Sequence, residues 1–219
     1  MLYGILAIIT GYLLGSFPSA YLMSRFRKGI DIRDVDNGNM GAGAVMRQIG
    51  KVEGGIVVAV DVGKGAAAVY LAYLFGAGEL WAIFAGVAAI LGHNFPLYVG
   101  FRGGQGAACT IGVFMALAPA ATGIILLIIG MALLLTRSIF NSISIAAPFM
   151  PVLIWLFQGS TTVLIFSLVI VGGLLARNVP KFAHMAGGAF LRYRSRRAAR
   201  PAAGPRSPAI AGMNSQIDE

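Results

Sequence analysis

The chain is constrained most by its unbroken apolar runs. Residues 1–24, 55–76 and 80–99 are each apolar almost throughout, and a further apolar region extends from 107 to 176. Each of the first three reaches the roughly 20 residues that a helix needs to cross a bilayer core. Inside lipid only helices and closed barrels satisfy their own backbone, and barrel strands alternate apolar with polar residues. These runs do not alternate, so the chain is predicted to be an all-α integral membrane protein. Composition agrees: of 219 residues 58% are hydrophobic and 11% charged, where a soluble domain is about a quarter charged. The first run leads into a basic flank without a convincing cleavage site, so no cleavable signal is expected.

Loop charge sets the topology. The net charge is +9, concentrated in loops and in the tail, which reads as anchoring on the cytoplasmic face rather than as a nucleic-acid surface. The 107–176 region fits three helices (107–135, 138–157 and 160–176), or four with a break at Pro119. Arg102 and the tail cations Arg177, Lys181, Arg192, Arg194, Arg196, Arg197 and Arg200 belong on one side, which selects four. The result is seven transmembrane helices, with the N-terminus outside and the C-terminus cytoplasmic. The span 107–118 is then short, about 18 Å at 1.5 Å per residue. Residues 1–188 form the membrane domain. Residues 189–219, rich in Arg, Ala, Pro and Ser, form a basic tail expected to lack fixed structure and to lie on anionic headgroups.

The polar interruption DIRDVDNGNMGAGAVMR, residues 31–47, is where chemistry is expected. Glycines 38, 41 and 43 let backbone N–H groups converge on an anion, and Arg47 can fork onto a phosphate. The second such stretch is GHNFPLYVGFRGGQG, 92–106, where Gly103, Gly104 and Gly106 precede a helix start. It fits an anion site or a tight turn that needs glycine only for packing. Asp61 and Lys64 share a helix face inside an apolar run. Charges there are expensive, and two readings fit: a structural ion pair, or a Lys64 that binds substrate phosphate. Asn178 and His184 lie beyond the last span; His184 fits a proton shuttle or an interfacial residue. The two histidines form no metal-ligand pattern, and the single cysteine, Cys109, leaves no internal disulfide. There is no Gly-x-Ser-x-Gly elbow.

Five separated segments in order resemble the integral-membrane, acyl-phosphate-dependent glycerol-3-phosphate acyltransferases of bacteria, the PlsY family: GSFPSAYL at 15–22, DIR at 31–33, GNMGA at 38–42 with Arg47, VDVGKG at 60–65, and GHNFPLYVGFRGGQG at 92–106. The resemblance runs from about residue 1 to 188. It implies a seven-helix fold in the bacterial cytoplasmic membrane, with the site on the cytoplasmic side. The implied reaction moves an acyl group from acyl phosphate to the sn-1 hydroxyl of glycerol 3-phosphate, giving lysophosphatidic acid and phosphate without a cofactor. Arg47, His93 and Asn178 are then expected to be catalytic. Asn37, Gly38, Asn39, Gly41, Lys64, Gly103, Gly104, Gln105 and His184 are expected to bind phosphate, and Asp31, Arg33 and Asp61 to support the site. The chain departs from the family pattern at Asn37 (Ser in the family), Gly43 and Ala44 (Thr-Asn) and Gln105 (Lys). These departures leave two alternatives: a paralogue using another phosphorylated acceptor, or a non-catalytic lipid-binding or transport protein.

Overall fold

The computed structural model describes residues 1–35 and 40–176. Among them every regular element is helical: α1 (Leu2–Gly15), α2 (Ser19–Lys28), α3 (Ile32–Val35), α4 (Ala42–Gln48), α5 (Lys51–Leu74), α6 (Glu79–Asn94), a 3-10 turn (Leu97–Val99), α7 (Ala107–Leu117), α8 (Pro119–Thr136), α9 (Ile139–Ala146), α10 (Phe149–Phe157) and α11 (Thr161–Ala176). The chain divides into two compact units, Met1–Gly172 and Gly173–Glu219, and the bundle α1 to α10 lies wholly in the first. The boundary expected at 188 lies outside the described residues.

Four stretches are long and apolar enough to cross a membrane: Leu2–Lys28, Lys51–Leu74, Glu79–Val99 and Pro119–Thr136. Proline explains where the helices depart from the expected spans. Pro18 divides the first run into α1 and α2, with Ser16 to Pro18 outside regular helix. The single helix expected over 138–157 is instead α9 and α10, separated at Ala147–Pro148. In both places proline lacks an N–H to continue the ladder and its ring crowds the preceding turn. Pro119 acts as the loop charges require: it opens α8 directly after α7 ends.

Two close helix seams hold the bundle. Along α1 and α6, a Cβ on Gly15 would stand 2.0 Å from the Ala89 carbonyl oxygen. Along α5 and α7, a Cβ on Gly112 would stand 1.9 Å from the Val62 carbonyl oxygen, and one on Gly65 would stand 2.2 Å from that of Cys109. Lipid gives helices no hydrophobic reason to associate, so backbone approach at small residues supplies the packing.

Polar contacts pin the two ends. At one end the Ser160 hydroxyl donates to Glu79 (2.6 Å), and the Gln158 amide donates to the Leu117 carbonyl. At the other, Arg27 pairs with Glu53 at 2.7 Å and Lys28 donates to the Gln48 carbonyl. Glu79, Leu117, Gln158 and Ser160 thus share one face. Under the seven-crossing arrangement that face is outside. Single cysteines introduced at Glu79 or Gly159 are expected to label with an impermeant reagent, and ones at Gly100 or Arg137 are not; the native Cys109 is buried. External labelling at Gly100 or Arg137 contradicts the arrangement.

Candidate active site

The site is built around a carboxylate inside α5. Asp61 is 2% exposed. Its Oδ1 accepts from the Ser19 hydroxyl at 2.7 Å and pairs with Lys64 Nζ at 2.9 Å. Lys64 is also buried, and Nζ donates to the Phe17 carbonyl at 3.0 Å. That carbonyl lies in the α1–α2 break, where it also accepts from the Ser19 N–H at 3.1 Å. Lys64 therefore satisfies the Asp61 charge and the backbone of the break together. Of the two readings open for Lys64, the geometry shows the internal ion pair.

His93, in the last turn of α6, completes the cluster. It is 7% exposed, and its Nδ1 stands 3.5 Å from Asp61 Oδ1 without an aligned hydrogen bond. On the other side, a Cβ on Gly104 would stand 2.3 Å from His93 Nε2 and 2.8 Å from the Met40 carbonyl oxygen. The imidazole is thus enclosed between the buried carboxylate and the second glycine turn. Enclosed in this way, the ring packs against the second glycine turn.

The same geometry resolves the glycines of that turn. The N–H groups of Gly103 and Gly104 donate to the carbonyls of Asn94 and His93, each at 3.1 Å. They are engaged with the end of α6, and Gly103 and Gly104 permit the close approach that the packing alternative describes. Gly106 has φ +76 and caps α7, with the half-buried Gln105 just before it. Gly41 caps α4 in extended conformation, φ −126, which any residue adopts. Arg47, exposed in the last turn of α4, folds back so that one terminal nitrogen lies 3.4 Å from where a Cβ on Gly43 would stand. Asn37, Gly38, Asn39, Asn178 and His184 lie outside the described residues.

Asp31 and Arg33 form the clamp that joins the two polar stretches. Arg33 grips both Asp31 oxygens, with Nε–Oδ1 2.9 Å and a terminal nitrogen to Oδ2 2.6 Å. Its other terminal nitrogen donates to the Val99 carbonyl at 2.7 Å, and the guanidinium lies 5.1 Å from the Tyr21 ring centroid. Only a planar fork makes these contacts together. Ser19 and the Phe17 carbonyl are members of the cluster that sequence reasoning does not find. Their signal is Pro18: a helix broken beside a charged helix offers that helix both a carbonyl and a serine hydroxyl. Among the described residues no group of three or more His, Cys, Asp or Glu side chains is placed to hold a metal.

The Arg33 hydrogen bonds hold the Asp31 carboxyl below its ordinary range, opposed by partial burial. A depressed folded pKa contributes stability above the unfolded value that is lost as pH falls through the folded one. Asp31→Asn is therefore expected to unfold more easily than the parent near neutrality, with the gap closing only below about pH 4. Thermal unfolding in detergent across pH checks this; a gap independent of pH contradicts the clamp. Arg33→Lys, which cannot fork, is expected to lose about 1.5–3 kcal/mol near neutrality in the same measurement.

Residues 5–188 match the family model described as glycerol-3-phosphate acyltransferase. A glycerol-3-phosphate acyltransferase of Parasynechococcus marenigrum (strain WH8102) is 40% identical over 173 residues, covering 77% of this chain and 80% of the relative. Glycerol-3-phosphate acyltransferase 1 of Dehalococcoides mccartyi (strain ATCC BAA-2266 / KCTC 15142 / 195) is 38% identical over 156 residues, covering 68% and 75%. The crystal structure of PlsY (YgiH), an integral membrane glycerol 3-phosphate acyltransferase, in its glycerol 3-phosphate form superposes with TM-score 0.77 at 29% identity, covering 84% of this chain and 92% of that one. Its lysophosphatidic acid form gives TM-score 0.73 at 27% identity over the same shares. The chain belongs to the glycerol-3-phosphate acyltransferase family of integral-membrane enzymes.

Proposed function

We propose that the protein transfers an acyl group from acyl phosphate to the sn-1 hydroxyl of glycerol 3-phosphate, at the cytoplasmic face of a bacterial inner membrane. The observation that carries this reading is the meeting of the two glycine-rich stretches at the buried His93, where Gly104 packs against both its ring and the Met40 carbonyl. A relative of this fold has been captured with glycerol 3-phosphate and with lysophosphatidic acid, the acceptor and product of that reaction. Acyl phosphate is a mixed anhydride and already activated. The acceptor hydroxyl attacks the acyl carbon, the carbon–oxygen bond to phosphate breaks, and the departing phosphate carries away the hydroxyl proton. What the protein must supply is alignment of two anions and stabilisation of developing charge.

The parts fall into two classes. Arg47 and Gln105 stand near the glycine stretches with donors for phosphate, and Asn37, Asn39, Asn178 and His184 are further candidate contacts. Asp61, Lys64, His93, Asp31 and Arg33 hold the frame. Asn178 is kept as a candidate catalytic group, beside Arg47. Gln105 keeps donors but brings no charge where the family pattern has Lys, and Gly43 puts no side chain beside Arg47 where the pattern has Thr. Both departures weaken acceptor binding.

Purified protein given acyl phosphate and glycerol 3-phosphate is expected to release phosphate and form lysophosphatidic acid; release only with another phosphorylated acceptor contradicts the acceptor assignment. Arg47→Ala is expected to abolish that turnover and Arg47→Lys to restore little, since two bonds to one phosphate need the planar fork. Gln105→Lys is expected to lower the KM for glycerol 3-phosphate by about ten- to a hundredfold at most, from a charge-assisted bond of roughly 1.5–3 kcal/mol. An unchanged KM shows that position 105 does not face the acceptor phosphate.

A further inference from the structure

The turn that leads from α6 to the Gly103–Gly104 stretch ties its backbone inward and leaves its large side chains outside. The Tyr12 hydroxyl donates to the Phe95 carbonyl at 2.8 Å, the Phe101 N–H to the Pro96 carbonyl at 2.9 Å, and Arg33 to the Val99 carbonyl. Pro96 is fully buried. Yet Phe95 is 54% exposed, Leu97 47%, Tyr98 57% and Phe101 55%, and Arg102 directly after them is exposed too. A backbone bonded this fully to its surroundings holds those side chains where they are. Four large apolar groups exposed on one turn mark a surface with a partner.

Phe101 also has φ +61, a left-handed conformation that is costly for a bulky residue and free for glycine. Gly100 just before it, φ +72, is the ordinary occupant of such a position. Strain of this kind persists where the side chain is put to use. The helix before the turn says what the side chains meet. The large apolar residues that α6 exposes, Leu80, Phe84 and Leu91, recur on one helix face. That is the face a membrane span turns to lipid, and Phe95 continues it four residues beyond Leu91. The apolar span runs Glu79–Val99, so the turn straddles its end. Aromatic rings at the end of a span, followed by a cation that can reach headgroups, are the residues of a membrane–water interface. We propose that Phe95, Leu97, Tyr98 and Phe101 are an interfacial anchor, inserted at the headgroup–acyl boundary of the leaflet at that end, and that it sets the depth of the adjoining Gly103–Gly104 turn. The partner is the lipid surface, and the anchor does not depend on the acyl-transfer reading.

Two measurements on the full chain test it. The native tryptophans, Trp81 and Trp155, are changed to Phe, and a single reporter is introduced by Phe101→Trp or, separately, by Tyr98→Trp. In vesicles of phosphatidylcholine and phosphatidylglycerol, both reporters are expected to lose emission to lipid brominated near the headgroup, less to lipid brominated near the chain ends, and little to aqueous acrylamide. Quenching by acrylamide and by neither brominated lipid puts the turn in water, open to a soluble partner, and overturns the anchor. Stronger quenching by the chain-end bromines overturns the interfacial depth. In the second measurement, Phe101→Gly is expected to melt in detergent no lower than the parent, because glycine relieves the backbone at this φ. Melting well below the parent shows that the ring packs against protein and not lipid, and overturns the proposal.

Discussion

The structure depends on how one carboxylate is kept inside a membrane helix. Burying Asp61 costs several kcal/mol, and two neighbours offset that cost, Ser19 at the start of α2 and Lys64 on α5 itself, with His93 at the end of α6 standing 3.5 Å away. The same lysine donates to the Phe17 carbonyl in the α1–α2 break, beside the Ser19 N–H that also donates to it. A broken helix within an apolar span needs donors from the protein, since lipid offers none. The break and the charge are therefore one arrangement: Pro18 makes the gap, and the ion pair fills it.

That arrangement reaches the chemistry through backbone. The carbonyls of His93 and Asn94 accept the N–H groups of Gly104 and Gly103, so the second glycine turn is registered on the end of α6. The His93 ring, held beside Asp61, packs where Gly104 and Met40 come together. The Arg33 clamp on Val99 ties the first polar stretch to the other end of the same turn. Two loops far apart in sequence are thereby fixed relative to each other from below by a buried charge and from the side by an arginine fork. Fixed relative placement is what the alignment of reacting groups requires of a protein.

Much of this is legible in the sequence. Long apolar runs point to the all-helical membrane class, and the order of five motifs points to the family. The i, i+3 spacing of Asp61 and Lys64 announces their pairing, because helix geometry alone places them together. What is not legible depends on tertiary contact. Nothing local says that the Gly103 and Gly104 N–H groups turn back onto α6, since a glycine-rich stretch before a helix looks the same whether its donors face a ligand or a carbonyl. Ser19 and Phe17 reveal their partners only where the α1–α2 break meets α5. The division of 138–157 at Pro148 is readable from proline chemistry, but hydropathy is continuous through it and hides the break.

Whether Asp61 and Lys64 act as one buried pair that supports the break and the turn is tested most directly by a double-variant cycle. Asp61→Leu and Lys64→Met each leave the other charge uncompensated, at a cost of about 3–5 kcal/mol. The double variant removes both charges and keeps the volume apolar. Thermal unfolding of the parent, both singles and the double in one detergent is the measurement. A coupled pair predicts a double variant more stable than either single; losses that simply add would show that the two residues act independently and would contradict it.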